Sequence, residues 1–303
     1  MTSDLSKEEK EWLLEYEYSR YLKYVSDKDL LERLKQLNES KDLLHEWCYK
    51  EYIENDNRSI GFWKRKIFQT KLELQNRNLS IPEHDLTAIY SKTKPYSSIK
   101  PNSCDILVKY GVSKFMKELH TSGNLRVSLA GGYLNETMNE ARHDNEMSKS
   151  AFINKMNSRL KTIDGQVINP IKNPKLTDHA VAPYYIYCCA TDFDWYFFDK
   201  FQCDSCVIIK DVPEFKRRLN SKMKEILPKW YDYGNIIQYY DEFECRPSQI
   251  DSHTNKTLKY AYQKEYRFSW IPFGLKAEYL ESNLDVSLGS LVDICDYYEL
   301  SVA

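Results

Sequence analysis

Glycine is scarce in this chain: only 9 of 303 residues, with neither a GxxxxGK[ST] nor a GxGxxG loop among them. Nucleotide hydrolysis or dinucleotide binding of those kinds is therefore disfavoured. Long apolar runs are also missing. No stretch reaches about 18 residues, and the opening MTSDLSKEEKEWLLEYEYSR is charged throughout, so neither a signal peptide, a membrane span nor a membrane partner is expected. The 8 cysteines have no framework spacing, which without a signal reads as reduced thiols in a cytoplasmic protein. Cys203 and Cys206 form a lone CxxC with no second ligand pair at finger spacing, so no metal is expected. An excess of one charge is absent too: 43 Lys+Arg face 45 Asp+Glu, a net charge of −2 that excludes coating nucleic acid by bulk charge but leaves room for a local basic patch.

What is abundant is tyrosine, with 24 residues, and a hydrophobic fraction of 42% excludes disorder. The length suggests one large or two modest domains. Helical periodicity runs almost unbroken over 5–78, through Leu14, Tyr18, Leu22, Leu30, Leu34, Leu37, Leu44 and Trp47, with a break and N-cap at Ser26–Asp27. Prolines and serines over 81–103 mark a linker. The reading is α+β: a helical region over 1–80, then a β-rich domain over 104–303. In that domain CDILVKYGV and NLRVSLAG are strands flanking a helix, SKFMKELHTS, with Ser113 as N-cap and Gly123 as its C′ residue. The polar 136–180 region reads as a long loop. APYYIYCCATDF, WYFFDKF and CVIIKD read as strands, and EFKRRLNSKMKEIL as an amphipathic helix.

KYAYQKEYRFSW, 259–270, carries the candidate chemistry. Read as one strand, it places Tyr260, Tyr262, Tyr266, Phe268 and Trp270 on one face and Gln263, Glu265 and Arg267 side by side on the other. A carboxylate between an amide and a guanidinium is held ionised, which suits stabilising positive charge on a sugar. The same alternation also fits an antiparallel strand with one solvated face. Four of the nine glycines, Gly111, Gly123, Gly131 and Gly132, fall within 111–132, a clustering that fits tight turns or close approach to a ligand, with Tyr110, Arg126, Ser128 and Tyr133 around them. NEARHDNE then packs Arg142, His143, Asp144 and Glu146 together, as a charged loop or a functional one. GFWKRKIFQTK at 61–71 interleaves aromatics with cations; it fits single-strand nucleic-acid binding or an amphipathic helix with a solvated basic face.

In order, DILVKYGVSKFMKELHTSGNLRVS, NEARHDNE, YYIYCCATDFDWYFFDKF with CVIIKD, and YAYQKEYRF resemble a broad bacterial family, several of whose relatives are associated with phage defence. Its layout is similar to the ADP-ribosyltransferase fold, a split, mixed or antiparallel β-sheet that grips NAD in a cleft; the resemblance covers about 104–270. It implies NAD as substrate, no metal, a macromolecular acceptor (RNA, DNA or protein) and an antitoxin partner. By position it implies Glu265 as the catalytic carboxylate and Gln263 as the acceptor-orienting residue of a Gln-x-Glu pattern. Lys109 and Tyr110 would meet adenosine and nicotinamide ribose, Arg126 and Ser128 phosphate and ribose, and Tyr133 the nicotinamide ring. The chain departs from the family in lacking the usual His or Arg on the first strand, where Lys109 and Tyr110 stand, and the Ser-Thr-Ser motif, where ATDFDW stands. Two other functions compete: a non-enzymatic phage-sensing or protein-binding module on the same fold, and a metal-dependent hydrolase using Asp144, Glu146 and Asp194.

Overall fold

Ser6 starts the first helix through a reciprocal cap: its Oγ accepts from the Glu9 amide at 3.1 Å while Glu9 Oε2 accepts from the Ser6 amide at 2.8 Å. The structure is a computed structural model and describes residues 5–48, 60–83, 106–134, 144–157, 160–273 and 283–300. Helix α1 (Lys7–Ser19) ends at Arg20, whose φ of 33° is left-handed. At the expected break, Ser26 Oγ accepts from the Asp29 amide at 3.1 Å and α2 (Asp27–Cys48) begins; α3 is Ile60–Asn76.

The remaining elements are β1 (Leu107–Gly111), α4 (Ser113–Ser122), β2 (Asn124–Leu129), β3 (Ser148–Phe152), β4 (Leu160–Lys161), β5 (Val167–Ile168), β6 (Lys175–His179), β7 (Tyr185–Ala190), α5 (Tyr196–Phe201), β8 (Ser205–Ile209), α6 (Val212–Ile226), β9 (Trp230–Ile236), β10 (Gln238–Tyr240), β11 (Asn255–Thr257), β12 (Glu265–Pro272), β13 (Leu284–Ser287) and β14 (Cys295–Glu299). The fold is therefore α+β, with N-terminal helices followed by a largely antiparallel sheet. Eight strands form the main sheet, ordered β13-β2-β7-β1-β8-β14, with β12 on the other edge of β7 and β9 outside β12. Strands β7 and β8 are buried along their lengths, which explains why YIYCCA and SCVII read as apolar runs without alternation.

Period two sorts the sheet's side chains. Leu107, Tyr187, Val207 and Phe268 meet Phe215, Leu219 and Met223 of α6 on one face. Each such buried side chain contributes about 1.5–3 kcal/mol of transfer free energy, enough to seat the helix. On the other face Val108, Tyr110, Cys206 and Ile208 pack with Phe193, Phe197 and Phe198. The N-terminal helices share their core with the sheet's connections: Leu30, Leu34, Trp63 and Leu74 pack with Ile237, Tyr239, Leu258 and Tyr260. Arg33 forks onto Asp241 with contacts of 2.7 and 2.6 Å, and Lys66 Nζ lies 3.0 Å from the same carboxylate.

Four local expectations change. WYFFDKF forms the short helix α5, whose Phe197 and Phe198 pack onto the face of β1 and β8 instead of joining the sheet as a strand. The 148–179 stretch is two small antiparallel ribbons, β3 with β6 and β4 with β5, rather than a loop. Val112, not Ser113, occupies the N-cap of α4, and Asp204 Oδ1 supplies the capping acceptor, 2.7 Å from the Ser113 amide. Most consequentially, 259–270 is not one strand: a 3-10 helix covers Leu258–Gln263, Lys264 turns with φ of 46°, and only Glu265 onward joins the sheet. The aromatic backing therefore divides, Tyr260 into the helical core and Tyr266, Phe268 and Trp270 into the sheet core.

Gly123 does act as the C′ residue of α4, with φ of 68°, and a Cβ there would lie 2.0 Å from the Gly289 carbonyl oxygen. Gly123→Ala should lose about 1–3 kcal/mol from the left-handed backbone alone, with the clash added, read as a lower urea midpoint at unchanged slope.

Candidate functional site

One edge of β7 serves two strands. β2 pairs with Tyr185 and Ile186 at one end, and β1 pairs with Ala190 at the other. Between those two register pairs β2 and β1 diverge, and Lys109 Nζ donates to the Cys188 carbonyl at 2.7 Å. The ammonium also lies 4.4 Å from the Tyr187 ring centroid. Away from β7, β1 continues along β8 and β2 along β13, so the sheet splits.

A cleft of about 760 Å³ opens at this split. Lys109 and Tyr110 line it from β1, Arg126 and Ser128 from β2, and Gln263 and Glu265 from the far side of β7. Six of the seven residues singled out from the sequence thus meet in one cavity. Tyr133 falls in the 3-10 turn Ala130–Leu134, and its side chain lies outside the described residues, as do Arg142 and His143 altogether. Tyr110 meets the cleft from within the core: it is 8% exposed, its ring centroid is 5.0 Å from that of Phe197, and its hydroxyl accepts from the Asp194 amide at 2.8 Å. Arg126 stands on the opposite lip, exposed and paired with Asp285 at 2.9 Å.

Glu265 lies opposite Ala190 at the start of β12, with its carboxylate buried. Arg267 Nε donates to Oε1 at 2.7 Å and Lys256 Nζ lies 2.7 Å from Oε2. The Tyr239 hydroxyl accepts from the Glu265 amide at 2.9 Å. Glu146, immediately before β3, completes the arrangement, with Arg267 Nη2 at 2.7 Å, Lys256 Nζ at 2.9 Å and Lys149 Nζ at 3.4 Å. Asp144 also receives Lys149, at 3.0 Å. Three carboxylates and three cations therefore form one buried network, of which Glu146, Lys256 and Glu265 face the cleft. Burial alone pushes both glutamate carboxyls up, but Arg267 and Lys256 outweigh it and hold them well below the usual carboxylate range.

The sequence pattern singled out Glu265, Gln263 and the neighbouring Arg267 but not Lys256, and it left Glu146 open as part of a charged loop, of a functional one or of a metal site. Among the described residues no group of three or more His, Cys, Asp or Glu side chains converges as a metal site. The CxxC does not point into the cavity chemistry: Cys206 is buried in β8, and burial pushes its thiol up. Trp63 and Lys66 of GFWKRKIFQTK are buried and Arg65 is paired with Glu15 at 2.7 Å, so the segment is a packing face rather than an exposed basic-aromatic stripe. No described helix is long and apolar enough to cross a membrane. Compared with protein-family models, with curated proteins and with solved structures, the chain matched nothing.

The depressed glutamates stabilise the fold above the ordinary carboxylate range, about pH 4.3, and that stability is lost as pH falls toward their folded values. The melting temperature should fall on acidification below about pH 5, and less steeply in Glu265→Gln than in the native chain. Arg267→Met leaves two buried carboxylates short of a partner and should cost about 3–5 kcal/mol in urea unfolding at pH 7.

Proposed function

We propose that this protein is an NAD-dependent ADP-ribosyltransferase that modifies a macromolecule. The observation that supports the reading most is Glu265: an ionised, buried carboxylate beside Gln263, in a cleft opened by a split sheet and lined from its lips by Lys109, Arg126 and Ser128. Replacing a buried ion network by apolar side chains of similar volume often costs no stability. A network of six buried charges, three of which face the cavity, is therefore better accounted for by chemistry than by packing.

The reaction breaks the C1′–N bond between ribose and nicotinamide. Its electron pair leaves with the ring nitrogen, which becomes neutral, so no strong general acid is needed. The ribose gains oxocarbenium character, as in glycoside cleavage. Glu265 accepts a hydrogen bond from the ribose 2′-hydroxyl and stabilises the developing charge by preorganised electrostatics. The acceptor's nucleophilic atom bonds C1′ and releases its proton to solvent, while the Gln263 amide orients the acceptor. Lys109 and Arg126, one on each lip, offer positive charge to the pyrophosphate. The resemblance noted above extends this to a toxin acting inside a bacterial cell, in an antiphage or toxin–antitoxin system, with an antitoxin as its partner.

A second reading, a non-enzymatic phage-sensing or protein-binding module, is favoured by the network's self-neutrality: every carboxylate in it already has a cation. One experiment separates the two. The purified protein is incubated with NAD labelled in the adenosine ribose and with total RNA, DNA or cell lysate. Transfer of label to a macromolecular fraction is expected, and Glu265→Gln should reduce it about a hundredfold or more while circular dichroism stays unchanged. Absence of transfer, or equal transfer by the variant, would refute the transferase reading; the labelled fraction identifies the acceptor class.

A further inference from the structure

Gln263 and Glu265 share the cleft although the backbone does not put them on one strand face. Gln263 closes a 3-10 helix, and Lys264, with φ of 46°, turns the chain before β12 begins. What joins the two side chains is a third residue. Lys256 Nζ lies 2.7 Å from Glu265 Oε2, 2.9 Å from Glu146 Oε1 and 3.0 Å from Gln263 Oε1. We propose that Lys256 is the positioning residue of the cleft, fixing the Glu265 carboxylate and the Gln263 amide relative to each other through one ammonium.

The donor count supports this role. An ammonium has three N–H groups, and Glu265, Glu146 and Gln263 take all three, so Lys256 acts through its partners. Accepting through Oε1 also fixes which way the Gln263 amide points. The strand that carries Lys256 is itself anchored to the same glutamate. In the parallel pair of β10 and β11, Lys256 stands opposite Tyr239, whose hydroxyl holds the Glu265 amide. Two register partners thus grip Glu265, one by its side chain and one by its main chain. The Arg267 guanidinium reaches Glu265 and Glu146 and donates through Nη1 to the His253 carbonyl at 3.2 Å, so it serves the two carboxylates and the main chain.

Removing the ammonium leaves Glu265 with Arg267 as its near cation, and with Glu146, Cys188, Cys189 and Tyr239 around it as groups that are anionic or become so on deprotonation. Burial then prevails and the carboxyl titrates at higher pH. This inference rests on the transferase reading for its kinetic arm only, and the experiment keeps the two apart. Protein labelled with ¹³C at the glutamate carboxyls is titrated by NMR, with Glu265 assigned by its absence in Glu265→Gln. In Lys256→Met, and in the neutral but hydrogen-bonding Lys256→Gln, the Glu265 resonance should titrate at least one pH unit higher than in the native chain. NAD cleavage by the same variants should fall about a hundredfold, with the acidic limb of kcat/KM displaced to higher pH, and Lys256→Arg should return that limb toward its native position.

Native titration of Glu265 in either neutral variant, with native circular dichroism, would overturn the inference. So would activity that falls equally at every pH, the mark of a merely structural residue. A displaced carboxyl titration in a protein whose native form cleaves no NAD would uphold the Lys256 role and refute the transferase reading.

Discussion

Everything in the cleft-bearing half of this fold follows from one divergence of strands. Strand β7 offers a single edge to two neighbours, β2 and β1, each of which pairs with only one end of it. A buried unpaired backbone group is costly, and Lys109 answers for the Cys188 carbonyl. The diverging strands leave the cavity, and its lips are set by the strands each then joins, β8 and β13.

On the other edge of β7, a pairing of ordinary completeness does the opposite work. Six register pairs between β12 and β7 and seven between β12 and β9 fix β12 from both sides. Such a strand holds its first residue rigidly, so the Glu265 carboxylate has little freedom once Arg267 and Lys256 engage it. Two diverging lips facing a fixed floor suit a cleft that admits a sizeable ligand and presents it to one defined anion.

The sequence made the alternation over Glu265–Trp270 legible, because bulky aromatics at every second position leave the intervening residues one shared face. It misled over Gln263, since nothing in KYAYQK announces that Lys264 takes a left-handed backbone, a conformation ordinarily left to glycine or asparagine. Lys256 was invisible for a different reason: a lysine in SHTNKTLK has every mark of a solvated turn, and it is buried between Glu265 and Glu146, the latter arriving from more than a hundred positions earlier. Lys66 repeats the lesson among the helices. Its neighbours suggested a basic surface, but Asp241 draws it inward, and the burial that follows pulls its ammonium down to about 8. Short local signals were readable; charges buried by distant partners were not.

Arg33 and Asp241, whose forked contact ties α2 to the sheet domain, stand 208 residues apart. At ribosomal speeds of about 5–20 residues per second, the first waits roughly 10–40 s for the second to be synthesised. During that interval the guanidinium has Thr70 Oγ1 of α3, at 3.2 Å, but not its carboxylate, and the leucines beside it have α3 but not the sheet's connections. Lys256, Glu265 and Arg267 follow later still in synthesis. The charged floor of the cleft is consequently among the last features the ribosome can complete, and an interrupted chain lacks it.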